Sequence, residues 1–75
     1  MELFNSTTKE FLLTRLEKRH QEGRLIDIYQ IDPDTGIARH LTPEQQIEEA
    51  RKGTAIGEEI LYAEKRFMDE LKRRI

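Results

Sequence analysis

Glu17 and His20, three residues apart in EKRH, carry the spacing of the Glu-x-x-His element that points two metal ligands inward from one helix of a di-iron carboxylate bundle. Only one copy is present, and even with a second from a symmetry mate the bridging glutamates would still have to be found, so a partly exposed histidine near a helix end is the better account. His40, the other histidine, is expected alone on a strand as the cross-strand partner of Tyr29. Asp32-Pro33-Asp34-Thr35-Gly36 opens like a calcium loop, but the fifth ligand position is Gly36 and the twelfth is Pro43. Neither offers a side-chain oxygen, and a tight turn explains the segment better. Gly53-Thr54-Ala55-Ile56-Gly57 lacks the Gly-Lys-Ser/Thr ending that cradles phosphate and reads as a helix stop. Its two glycines would admit close approach of another helix if the segment were continuous.

A nucleophile with an orienting base is no easier to assemble. Ser6 is the only serine and lies near the N-terminus, and cysteine is absent. The carboxylate pairs Glu48-Glu49 and Glu58-Glu59 are adjacent, so on a helix they diverge by about 100°. That is the habit of solvated faces rather than of an acid and base sharing a substrate. The expectation is a non-enzymatic chain with no metal and no cofactor.

At 75 residues the sequence suits one domain over 1–75, with 1–5 as a loose tail. Folding at this size removes only roughly 60% of the unfolded chain's surface from water, so stability is marginal. Without cysteine the core must be aliphatic. No apolar run approaches the ~20 residues that span a bilayer, and MELFNSTTKEF has neither a basic leader nor an apolar signal core. A cytoplasmic protein without membrane contact is therefore expected.

Charged residues make up 37% of the chain, but thirteen basic and fifteen acidic side chains leave a net charge of only −2. They are not evenly spread. Residues 25–50 hold one basic and six acidic groups, while 51–75 hold seven basic and five acidic. The acidic middle suits a basic partner surface or the protein's own positive ends.

The elements that would position these groups are legible from local signals. Thr7 is expected to cap a first helix in a capping box with Glu10. Leu12, Leu13 and Leu16, flanked by Phe11 and His20, form its apolar stripe, and Gly23 ends it beside Lys18, Arg19 and Arg24. Leu25 to Ile31 and Ile37 to Leu41 are strand-like runs joined by Pro33-Asp34-Thr35-Gly36, with Asp32 accepting from turn amides and Gly36 left-handed. If Asp32 faces Ile37, then Ile26, Ile28, Ile37 and Leu41 share the core face of the ribbon. Leu25, Tyr29, Ile31, Ala38 and His40 share the other. Thr42-Pro43-Glu44-Gln45 starts a short helix with Ile47 and Ala50 inward, and Gly53 breaks it. From Ala55 a long helix follows, with Ile56, Ile60, Leu61, Ala63, Phe67, Met68, Leu71 and Ile75 on a broad apolar face and Phe67 expected in the core. The fold class is thus α+β: helix, two-stranded antiparallel hairpin, short helix, long C-terminal helix.

A two-stranded ribbon leaves both edges unpaired and one face uncovered, which points to a homodimer. Leu25, Tyr29 and Ile31 of the ribbon and Ile60, Phe67 and Leu71 of the long helix are the residues expected to carry self-association. The functional expectation is a protein-interaction module, an adaptor or inhibitor that also takes an unidentified protein partner. Host-directed inhibitors encoded by phages or mobile elements share this profile. The alternative is a dimeric DNA-binding regulator. It would contact phosphates through Arg15, Lys18 and Arg19 on the first helix and Lys65, Arg66, Lys72, Arg73 and Arg74 on the last. Glu64, Asp69 and Glu70 interrupt that stripe, and the ribbon is acidic where it would enter a groove.

Overall fold

The first helix begins earlier than Thr7. In the computed structural model, which describes residues 5–73, α1 spans Ser6–Gln21 and Asn5 is its cap. The Asn5 side chain accepts a 2.8 Å hydrogen bond from the Thr8 amide, and asparagine is at least as good a cap as threonine. The expected Thr7/Glu10 box is therefore displaced by a cap two residues upstream, and Asn5 does not belong to a loose tail. Residues 1–4, Arg74 and Ile75 lie outside the described residues. α1 ends as expected at Gly23, whose φ of 70° allows the Gly23 amide to reach the His20 carbonyl and the Arg24 amide the Arg19 carbonyl.

The ribbon comprises β1 (Ile28–Ile31) and β2 (Ala38–Leu41), paired antiparallel with Ile28 opposite Leu41 and Tyr29 opposite His40. The Asp32 amide donates to the Ile37 carbonyl, which is the expected register. Asp32 Oδ1 accepts from the Asp34 amide, the Asp32 carbonyl accepts from Gly36, and Gly36 sits at φ 72°. β1 is shorter than its apolar run because Gln46 Nε2 donates to the Ile26 carbonyl at 2.8 Å, securing the segment before the ladder starts. The same amide reaches the Leu41 carbonyl, so buried Gln46 ties the root of both strands to the next helix.

That helix, α2 (Pro43–Lys52), opens on a capping box between Thr42 and Gln45 and closes on Gly53 at φ 75°. Thr54 then accepts from the Gly57 amide and starts α3 (Ala55–Arg73). The break places α2 and α3 face to face, and Gly57 is where they touch. A Cβ there would lie 2.0 Å from the Glu49 carbonyl oxygen, an acceptor already shared by Gly53, Thr54 and the Thr54 hydroxyl.

Leu12, Leu16, Leu41, Ile47, Ala50, Ile56, Ile60 and Leu61 form the core, with Leu13, Leu25, Ile28 and Met68 packed against it. Three expectations about burial are corrected by this arrangement. On the ribbon, Leu41 and partly Ile28 are covered, but Ile26 and Ile37 lie outside the short ladder and are exposed, while Leu25 turns inward. On α3, Phe67 is not a core residue: it is 50% exposed, and Leu71 is 42% exposed. Conversely Glu58, expected on a solvated face, is buried within 3.5 Å of Lys9 Nζ.

Candidate interaction surface

The last turns of α1 and α3 lie side by side and leave a groove between them. Arg15, Lys18 and Arg19 of α1 and Arg24 just beyond it line one side, with Glu22 at the rim, and Phe67 and Leu71 of α3 line the other. Beyond Phe67 the apolar surface continues over Ala63 to Ile26 and Ile28 at the root of the ribbon. Phe67 thus stands between a cationic trough and an apolar shelf.

Glu64 organises the cationic wall from behind. It is only 4% exposed, and its Oε2 accepts from Arg19 Nη1 at 2.6 Å. Arg15 Nε lies 3.5 Å from Oε1, an ion-pair approach without hydrogen-bond geometry. Arg19 is the stronger link, and its guanidinium carbon also sits 5.8 Å from the Phe67 ring centroid. One side chain therefore joins a buried carboxylate to an exposed aromatic. In the sequence Glu64 reads as an interruption of a basic stripe. Its position one turn after Ile60 and Leu61, on the inward face, was the available signal that it points into the structure.

Of the cations expected to contact phosphate, several already have partners within the chain. Arg15 and Arg19 are engaged with Glu64, Lys65 donates to Asp69 at 2.8 Å, and Arg66 lies over the Tyr62 ring at 6.0 Å. Lys18, Lys72 and Arg73 are exposed. The Lys65 hydrogen bond holds the Asp69 carboxyl below the usual aspartate range. Lys52, paired with Glu48 one turn before it, is held above the usual lysine range.

Of the residues expected to self-associate, Tyr29 and Ile31 project from the ribbon at 79% and 61% exposure. Ile60, at 5%, is part of the chain's own core, and Leu25 packs against that core, so neither offers a partner much surface. Tyr29 stacks on His40 across the ladder with ring centroids 5.2 Å apart, and His40 Nε2 meets Asp27 Oδ2 at 2.8 Å. Several other titratable groups are engaged in ion pairs. Glu17 pairs with Arg51 at 3.3 Å, His20 with Glu44 at 3.5 Å, and Arg39 bridges Asp32 and Glu49. Among the described residues no three His, Cys, Asp or Glu side chains are grouped to hold a metal, and no helix is long and apolar enough to cross a membrane.

No protein-family model matches the chain, and no curated protein and no solved structure is significantly similar to it.

Proposed function

We propose that the chain is a non-enzymatic protein-interaction module that self-associates through its ribbon and offers a separate surface to a partner protein, as an adaptor or inhibitor does. The exposure of Tyr29 and Ile31 on a ribbon of only two strands is the observation that carries this reading. Among the described residues each outer edge lacks a neighbouring strand, and a second ribbon laid alongside would pair one of them and join the faces that carry both side chains into one apolar surface. The DNA-binding alternative draws less support, because two of its arginines already neutralise Glu64 and the acidic ribbon would face like charge. Sedimentation of Tyr29→Lys/Ile31→Lys beside the parent chain tests the proposal. The parent is expected to dimerise and the variant to remain monomeric with an unchanged helical spectrum. Indistinguishable association states would refute assembly through the ribbon.

A further inference from the structure

We propose that the groove between the C-terminal turns of α1 and α3 is the docking site for a short acidic amphipathic segment of a partner protein. This rests on the chain being an interaction module, but on a different surface from the self-associating ribbon. The favourable field at a helix C-terminus accounts for cations near the end of α1. It does not account for Phe67 and Leu71, one turn apart on α3, lying open beside them.

An occupant must therefore supply both apolar anchors and negative charge. Four cations line the groove against Glu22, 3.8 Å from Arg24 and 43% exposed, and the inward-turned Glu64, which leaves positive charge in excess there on a molecule whose overall charge is −2. An acidic helix with an apolar stripe meets both demands, its stripe on Phe67 and Leu71 and its carboxylates towards Lys18 and Arg24. Arg19 is pre-positioned by Glu64, so ordering it costs little on binding. A nucleic-acid backbone would match the cations but leave the apolar side without a counterpart. A second copy packing its own Phe67 and Leu71 on this face would set two cationic walls against each other.

The test uses the full chain and fluorescent peptides of about 18 residues, five helical turns. One carries leucines at helical spacing among glutamates, a second the same residues with leucines scrambled, and a third lysines in place of glutamates. Mixed-sequence single- and double-stranded DNA serve as further probes, and unlabelled chain as competitor. The acidic amphipathic peptide is expected to bind at least about tenfold tighter than either peptide control, and more weakly as salt rises. Lys18→Glu/Arg24→Glu and, separately, Phe67→Ser should each weaken it about tenfold, and Tyr29→Lys should not. Equal binding of the scrambled or lysine peptide, tighter binding of either DNA, or displacement by unlabelled chain would overturn the proposal. So would loss of binding in Tyr29→Lys. Dimers that persist without peptide binding refute the groove alone, whereas a monomer that binds the acidic peptide refutes ribbon assembly alone.

Discussion

The two halves of α3 share one apolar stripe and meet opposite fates. Ile56, Ile60 and Leu61 are sealed in the core, while Phe67 and Leu71, on the same repeat, remain open to solvent. The difference lies in what crosses the helix. α3 has 19 residues and α2 only ten, so at 1.5 Å per residue α2 is about 15 Å long against about 28 Å. Pinned near its C-terminal end against Gly57 at the start of α3, α2 can cover only the first half. α1 reaches the second half with its cationic end rather than with leucines. Helical periodicity identifies the face a helix would bury; the length and placement of its neighbours decide how much of that face is covered.

The strongest way to break this comparison is to push α2 away. In Gly57→Ala the new methyl would meet the Glu49 carbonyl, backbone that cannot swing aside. A loss of about 3 kcal/mol or more is expected in chemical denaturation, and a near-parental midpoint would disprove the close helix contact. Next comes the carboxylate between the halves. Glu64→Gln removes the countercharge from Arg15 and Arg19 and is expected to cost about 2 kcal/mol, and Glu64→Leu, which also leaves the Arg19 donor without its acceptor, at least as much. Parental stability in either variant would show that the ion pairs do not hold the halves together. Gly36→Val, far from both halves, should cost about 1–2 kcal/mol. Its Cβ meets nothing within 4 Å, so the penalty would come from φ 72° alone. The smallest effect concerns the Lys65–Asp69 pair. Because folding lowers the Asp69 pKa, its contribution is present above the ordinary aspartate pKa and disappears as pH falls through the lowered value. NMR titration of the carboxyl should show that lowering vanish in Lys65→Ala.

Local chemistry made most of the fold legible. Gly23, Gly36 and Gly53 each take the left-handed conformation their sequence neighbourhood implied, and the Thr42/Gln45 box and the hairpin register follow from residues close in the chain. The features that local chemistry does not reveal depend on long-range packing. Gln46, Glu58 and Glu64 are buried because distant groups, the Ile26 carbonyl, Lys9 and Arg19, arrive to meet them. Phe67 is half exposed, with the Arg19 guanidinium against its ring rather than an apolar side chain of the core. The groove was visible only in pieces, with Arg15, Lys18 and Arg19 read as phosphate contacts and Phe67 and Leu71 as a self-association face. Nothing in the spacing indicated that these two sets adjoin.

Paired truncation of α3, read as denaturation midpoints of the dilute chain, tests the contrast between its halves most directly. Leu61→Ala is expected to lose about 3 kcal/mol by opening a cavity in the core. Phe67→Ala should lose about 1 kcal/mol or less, since half of the ring already faces water. Equal losses from the two substitutions would contradict the account, placing Phe67 in the core and closing the proposed docking surface.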